Sequence, residues 1–177
     1  MSIDKEFEGL KELPEPVPYS DEYRNDTTRF ILHILEDEFG LKGIDRPDLN
    51  NIAGAYQSDG GNFWLLKVDD EIVGTIALRN YGNGCGYLKR MYVAENMRRK
   101  GIAKHLLTTL LTYARQHGYT ELYLGTVGEM DAAIKFYQSQ GFQRIKALPE
   151  GMPECGDSVF FKFDLYSSRH IQKALEQ

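Results

Sequence analysis

The stretch M-R-R-K-G-I-A-K-H-L-L, residues 97–107, places three consecutive cations and a glycine directly before an apolar run. The apolar residues recur at helical spacing, and Gly118 follows where such a helix would end. The sequence therefore predicts an amphipathic helix that begins near residue 102. Its apolar stripe consists of Ile102, Ala103, Leu106, Leu107, Leu110, Leu111 and Ala114.

The segment before this helix is suited to hold an anion. Y-L-K-R-M-Y-V, residues 87–93, has the composition of a β-strand, so residues 98–101 lie at a strand-to-helix junction. The first N–H groups of a helix have no partners within it, and the helix dipole favours negative charge there. Gly101 lacks the Cβ that would keep a ligand from the backbone. A phosphate site is one interpretation, and a solvated charge patch is the other.

Short strand-like runs and helical runs flank the junction. The first helix is predicted over Asn25–Phe39 and a shorter one over Pro47–Tyr56, after an extended arm with an edge strand near Val17 and Tyr19. Strands are predicted at 63–68, 72–78, 121–127, 142–148 and 158–165, with a turn at Asp69-Asp70 and a helix at 132–140 that Gly141 ends.

The order of these elements predicts one pair of parallel strands. A helix between residues 87–93 and the strand at 121–127 requires a crossover to a parallel neighbour, whereas the short meander before it pairs antiparallel. Two parallel strands in an otherwise antiparallel sheet separate readily, so a ligand could enter between them.

The composition is that of a globular domain without a membrane span. The 177 residues are 42% hydrophobic and 27% charged, and no apolar run approaches the roughly 20 residues that span a bilayer. The acidic start has no signal-peptide pattern, so a cytoplasmic protein is expected. The net charge of −5 argues against a nucleic-acid-binding face, which needs a surplus of Lys and Arg.

Cysteine and histidine spacings indicate no metal site. Cys85 and Cys155 lie in no C-x-x-C context, and the four histidines form no H-x-x-x-H or H-E-x-x-H pattern. The sequence predicts free thiols and no structural metal.

Two motifs resemble those of one enzyme family. L-K-R-M-Y-V-A-E-N-M-R-R-K-G-I-A-K-H-L-L, residues 88–107, resembles the acyl-CoA-binding motif of the GNAT superfamily of N-acyltransferases, whose core [RQ]-x-x-G-x-[GA] is matched by residues 98–103. A-A-I-K-F-Y-Q-S-Q-G-F, residues 132–142, resembles the family's A-x-x-x-Y-x-x-x-G-F helix. The resemblance extends from about Tyr19 to Leu165.

The resemblance implies an α+β fold with a mostly antiparallel twisted sheet of about seven strands. The sheet would be splayed between its fourth and fifth strands and flanked by about four helices. Residues 1–177 would then form a single N-acetyltransferase domain, with its core at about 19–165, an N-terminal arm at 1–18 and a C-terminal tail at 166–177. A monomer or homodimer without nucleic-acid or membrane partners is expected.

Acetyl-CoA is the co-substrate that the resemblance implies. Its pantetheine arm would pair with the backbone of the fourth strand, and its pyrophosphate would sit on the N–H groups of residues 98–103. The implied cofactor contacts are Met91, Tyr92, Val93, Arg98, Arg99, Lys100, Gly101, Ile102, Ala103, Lys104 and Tyr137. A backbone N–H near Tyr92 would stabilise the oxyanion.

The implied reaction is direct transfer of an acetyl group to a primary amine of a small molecule, amino acid or peptide. Tyr137 is assigned as the general acid, because a positioned tyrosine hydroxyl can protonate the departing thiolate. A packed aromatic without a catalytic role is the alternative for Tyr137. A non-catalytic acyl-CoA sensor or interaction module is the alternative function.

The general base cannot be transferred from the family. Many relatives carry a glutamate on the fourth strand where this sequence has Tyr87, so Tyr87, Glu129 and a water relay all stay open as base candidates. The acceptor side would be built by the loops at 41–48 and 149–157. Acidic residues there, including Glu150, Glu154 and Asp157, could receive a cationic acceptor or could simply be solvated.

Overall fold

The protein contains a seven-stranded sheet, and the turn predicted at Asp69-Asp70 joins two of its strands. A computed structural model of the chain describes residues 13–128, 131–153 and 156–167. The strands in these ranges are β1 (Val17–Pro18), β2 (Asn62–Val68), β3 (Glu71–Asn80), β4 (Cys85–Val93), β5 (Glu121–Thr126), β6 (Gln143–Ile145) and β7 (Val159–Asp164). They form one sheet in the order β1-β2-β3-β4-β5-β7-β6.

The sheet contains antiparallel and parallel strand pairs, and α-helices accompany it, as the predicted α+β fold requires. The α-helices of the described residues are α1 (Arg24–Leu32), α2 (Pro47–Asn50), α3 (Ile102–Gln116) and α4 (Asp131–Ser139). The strand pairs β1–β2, β2–β3, β5–β7 and β6–β7 are antiparallel, and β4–β5 is parallel. The predicted α+β fold with a mostly antiparallel sheet of about seven strands is therefore confirmed.

The chain divides into two compact units. The first comprises residues 1–78 and 90–110, and the second comprises residues 79–89 and 111–177. The predicted single domain over 1–177 stays a prediction.

The first unit contains the β2–β3 hairpin and the N-terminal helices. Asp69 and Asp70 have φ values of 50° and 65°, the left-handed pair that a two-residue hairpin turn requires and that Asp tolerates. The helices pack on β2 and β3 through one apolar core. Its buried members are Tyr19, Ile31, Leu35, Leu49, Ile52, Tyr56, Phe63, Leu65 and Ala77.

The first predicted helix has the expected extent but not a uniform hydrogen-bonding pattern. After α1 the helix continues over His33–Glu38 with wider, π-type turns, as shown by Phe39 N donating to Ile34 O at 3.1 Å. Gly40 then takes a φ of 69° and ends it.

The second predicted helix, Pro47–Tyr56, is wrong as a single element. α2 ends at Asn50, and a separate π-type segment spans Ala53–Gln57. Asn51 leaves the helical conformation with a φ of −150°, and its side chain accepts a hydrogen bond from Gly54 N at 3.0 Å. The asparagine side chain thus competes with the helical hydrogen bonds and begins the next segment.

The second unit is organised by the β5–β7 ladder, which pairs six positions from Glu121↔Asp164 to Thr126↔Val159. β6 is shorter than the predicted strand at 142–148, because its pairing with β7 covers three residues. The parallel register of β4 and β5 covers Cys85–Tyr87 against Glu121–Tyr123, at the start of both strands. α4 ends as predicted before Gly141, whose φ is 97°.

Candidate active site

The predicted phosphate loop is a turn with two left-handed residues in front of α3. Arg99 and Gly101 have φ values of 63° and 83°, and both are exposed. Ile102 begins α3 and is 1% exposed, so the helix start is anchored in the core while the loop faces outward. Among the described residues, a Cβ on Gly101 would have only Leu13 Cδ1 within 4 Å, at 3.9 Å. The backbone at Gly101 is therefore open to a ligand, as a pyrophosphate cradle requires.

The cations of the loop and of the first turn of α3 do not act alike. Arg98 donates from Nε to Val93 O at 3.0 Å and from Nη2 to Glu38 Oε2 at 2.6 Å. Its guanidinium therefore braces the end of β4, and its charge is partly compensated. Arg99 and Lys104 are exposed next to the helix start, so they are the side chains best placed to attract an anion.

A glycine on β3 sets the position of α3. A Cβ on Gly74 would lie 2.9 Å from Leu106 Cδ1 and 3.2 Å from Ile102 Cγ2, both of which belong to α3. These contacts are tighter than ordinary van der Waals packing, so the helix rests directly on the β3 backbone. The first turn of α3, and with it the phosphate loop, is placed by this contact.

β4 carries a distortion just before the predicted pantetheine-binding residues. Arg90 has a φ of 53° within the strand, and its carbonyl accepts a hydrogen bond from Thr75 Oγ1 at 2.7 Å. A non-glycine residue in this conformation marks a local irregularity of the strand, held by its neighbours. Met91, Tyr92 and Val93 follow directly and are all half-buried.

A buried ion pair fixes this distortion. The Arg90 guanidinium makes two hydrogen bonds to Asp48, at 2.8 and 2.7 Å, and Tyr56 donates to Asp48 Oδ2 at 2.6 Å. The two charged side chains are only 12% and 10% exposed. Burial, reinforced by the Asp48 charge, raises the pKa of Tyr56, so its hydroxyl remains a donor. The sequence did not indicate this cluster, because Asp48 and Arg90 are 42 residues apart.

Tyr137 lies on α4 in the second unit and is 8% exposed. Its ring meets those of Phe136 and Phe142 edge to face, each at 5.5 Å between centroids, and that of Phe161 at 6.0 Å. Phe142 N also donates to Tyr137 O at 3.0 Å, where α4 ends. The packing fixes the ring, which a general acid needs, and it equally fits a structural role.

Tyr87 is buried on β4 and lies beside an acidic residue. It is 3% exposed, and its hydroxyl interacts with Asp157 in the loop before β7. Burial raises the pKa of Asp157 to about 6, and nearby Lys89 and the Tyr87 hydroxyl limit the rise. Glu129, the other named base candidate, lies outside the described residues.

Across 13–128, 131–153 and 156–167, no group of three or more His, Cys, Asp or Glu side chains is placed to hold a metal ion. No helix in the same ranges combines the length and the hydropathy needed to cross a membrane. Cys85 is a half-buried free thiol, and burial raises its pKa, which disfavours the reactive thiolate.

One protein family matches most of this chain. The sequence model of the acetyltransferase (GNAT) family matches residues 20–142. N-acetylaspartate synthetase of Xenopus tropicalis is 36% identical over 102 residues, which are 56% of this chain and 38% of that protein. N-acetyltransferase 8 of Homo sapiens is 33% identical over 103 residues, 55% of this chain and 45% of that protein. The aligned part thus spans about half or less of either relative.

Solved structures match over nearly their whole length. An acetyltransferase of the GNAT family from Staphylococcus aureus Mu50 superposes with a TM-score of 0.80 at 36% identity, covering 85% of this chain and 98% of that one. An acetyltransferase from Streptococcus agalactiae superposes with a TM-score of 0.76 at 21% identity, covering 85% and 97%. The second comparison supports the fold, and the first supports both fold and family.

Proposed function

The chain belongs to the acetyltransferase (GNAT) family, and on that premise we propose that it transfers an acetyl group from acetyl-CoA to a primary amine of a small molecule, an amino acid or a peptide. The observation that carries the proposal is the turn at Arg99–Gly101, with its open backbone at the start of a core-anchored helix. That turn is suited to a pyrophosphate.

The cofactor contacts are assigned to the first unit. Backbone N–H groups of residues 98–103 bind the pyrophosphate, and Arg99, Lys100 and Lys104 supply positive charge. Arg98 mainly holds the loop against Val93 and Glu38. Met91 to Val93 pair with the pantetheine arm, and the Arg90–Asp48 pair keeps that part of β4 in its distorted conformation.

The chemistry is one displacement at the thioester carbonyl. The neutral acceptor amine forms the new C–N bond, the C–S bond breaks, and the thiolate takes a proton from Tyr137. A thiol has a pKa of about 8.5 and a tyrosine about 10, so a hydroxyl held at the sulfur can stabilise the departing thiolate by a hydrogen bond and pass it a proton while the C–S bond breaks. No covalent enzyme intermediate is needed, and the raised pKa of Cys85 agrees with that.

The test is acceptor-dependent release of CoA thiol. Purified protein and acetyl-CoA are incubated with amines of different classes: L-aspartate, spermidine, kanamycin and a short peptide with an N-terminal alanine. L-aspartate is included because a relative is named N-acetylaspartate synthetase. Thiol release with at least one amine, together with its acetylated product by mass spectrometry, supports the enzyme. Tight CoA binding without release from any amine would favour a non-catalytic acyl-CoA sensor.

A further inference from the structure

Acetyl transfer to an amine needs a proton acceptor as well as a proton donor. An alkyl amine resembles the lysine side chain, whose pKa is about 10.4, so it is mostly protonated near neutral pH. Only the neutral amine has the electron pair that attacks the carbonyl. A group near the acceptor must therefore remove one proton, and β4 offers the Tyr87 hydroxyl rather than a carboxylate beside Asp157.

Resting on the proposed function, we propose that Asp157, in the loop before β7, is the catalytic base that takes the proton from the acceptor amine. Its side chain lies over the backbone of β5 at Gly125. The Asp157 Cγ is 2.9 Å from the position that a Cβ on residue 125 would take. The carboxylate thus occupies the space of a missing side chain, and the glycine is what lets it approach the strand.

The loop holds Asp157 in place through its neighbour. Ser158 N donates to Thr126 O at 3.1 Å, and Ser158 Oγ accepts a hydrogen bond from Gly128 N at 2.9 Å. The Tyr87 hydroxyl interacts with the carboxyl from β4. The loop backbone at Ser158 is therefore fixed to the end of β5, and the neighbouring carboxylate lies near the Tyr87 hydroxyl, which gives the base a defined position.

The alternation of the strands puts Asp157 and Tyr137 on opposite faces of β5. Phe161 pairs with Leu124, and Phe160 pairs with Gly125, so the side chains of Phe161 and of a residue at 125 point to different faces. Tyr137 packs against Phe161. Asp157 lies on the Gly125 face. The proton donor Tyr137 thus lies on one face of β5 and the proton acceptor Asp157 on the other. This arrangement suits a displacement in which the thiolate receives a proton and the amine gives one up.

The electrostatics agree with the assignment. Burial raises the pKa of Asp157 to about 6, so the carboxylate is ionised at neutral pH yet more basic than an exposed aspartate. Among the described residues, the charged or titratable groups that face it are Tyr87 and Lys89 of β4, whereas β5 presents Gly125.

Glu121, at the start of β5, is a poorer base. It accepts a hydrogen bond from Tyr123 at 2.7 Å and pairs with Lys162 at 3.1 Å. The hydrogen bonds of Tyr123 and Lys162 to its charged form lower its pKa. The proton affinity of Glu121 is therefore reduced, whereas that of Asp157 is increased.

In the proposed step the Asp157 carboxylate first takes a proton from the bound ammonium group, and the neutral amine then forms the N–C bond. The second N–H proton passes to water as the adduct collapses. The C–S electron pair leaves with sulfur, which takes a proton from Tyr137. Asp157 then returns its proton to water, and Tyr137 is reprotonated. Charge and atoms balance without a further reactant.

The experiment measures the pH dependence of kcat/KM for the amine that the thiol-release screen identifies. In the wild type, kcat/KM for the amine rises through a bend near pH 6, where Asp157 ionises. Asp157→Asn lowers kcat/KM by about 100- to 10,000-fold and removes that bend, with unchanged acetyl-CoA affinity. Asp164→Asn, an exposed carboxylate at the end of β7, is the matched control and keeps wild-type rates.

A second variant tests position without removing the carboxylate. Gly125→Ala places a methyl group where Asp157 lies, so it lowers kcat/KM in the wild type but adds little in the Asp157→Asn background. Retention of rate and bend by a folded, CoA-binding Asp157→Asn protein overturns the assignment of the base alone. Absence of thiol release from the wild type with every amine overturns the proposed function, and this inference with it.

Discussion

Asp157→Asn is expected to make the protein more stable at neutral pH. The carboxylate is half-buried over Gly125, and burial raises its pKa from 3.8 to about 6. A carboxyl whose pKa is higher in the folded state holds its proton more tightly there than in the unfolded chain. Its contribution to stability is therefore complete below about pH 4 and is lost as the pH rises through 6. Asparagine is similar in size and does not ionise.

The size of the effect follows from the two pKa values. A rise of about two pH units corresponds to about 3 kcal/mol, at about 1.4 kcal/mol per unit. Solvent reaches about half of the carboxyl and screens its charge, which reduces the expected value to about 1 to 2 kcal/mol. Part of this change is complete by pH 4.5, so relative to the wild type the free energy of unfolding of Asp157→Asn should increase by about 1 kcal/mol between pH 4.5 and pH 7.5.

Urea unfolding at several pH values measures this difference. Wild type, Asp157→Asn and the control Asp164→Asn are unfolded between pH 4.5 and 7.5, and the free energy of unfolding is extrapolated to water. The control should stay within about 0.5 kcal/mol of the wild type. A difference between Asp157→Asn and wild type that does not change with pH would refute the reasoning. So would a variant that is less stable than the wild type at pH 7.5.

Three further substitutions test the other parts of the site. Tyr137→Phe keeps the ring packing and should lower kcat by about 10- to 1000-fold with acetyl-CoA affinity retained; unchanged turnover would remove Tyr137 as the acid. Gly101→Val should weaken CoA binding at least about tenfold, as measured by calorimetry. The control Gly40→Val, at a glycine with a similar left-handed φ and open surroundings, should leave CoA binding unchanged. If both variants change CoA affinity equally, the phosphates bind elsewhere. Asp48→Asn should lower the free energy of unfolding by about 3 kcal/mol, because it leaves the Arg90 charge buried without its partner. Adding Arg90→Met should recover most of that stability. If the single and the double variant lose the same free energy of unfolding, the buried ion pair is contradicted.

Much of the fold follows from local patterns. The strand runs, the Asp69-Asp70 turn and the stripe of α3 each depend on residues that are near in sequence, and each is found as predicted. The parallel pairing of β4 with β5 was also predictable from the sequence, because a helical crossover between adjacent strands makes them parallel. The break at Asn51 did not, since a side chain there replaces backbone hydrogen bonds.

The parts of the site that the sequence did not indicate depend on distant residues. The sequence marks Asp157 only as one of several acidic residues in the loop before β7, and nothing local shows that it lies over Gly125, 32 positions before it in the sequence. Arg90 and Asp48 likewise show no pattern that would join them. Such contacts are fixed by strand order and by loop conformation, which single-sequence periodicity does not encode.

The contact at Gly74 bears on how the gene tolerates mutation. Position 74 lies on β3, where a Cβ would be 3.5 Å from Tyr92 O, and side chains larger than alanine would push against Ile102 and Leu106 and shift the start of α3. A mutational scan that measures activity would therefore score residue 74 as severely as a residue that touches substrate. Size alone, and not polarity, would rank the substitutions.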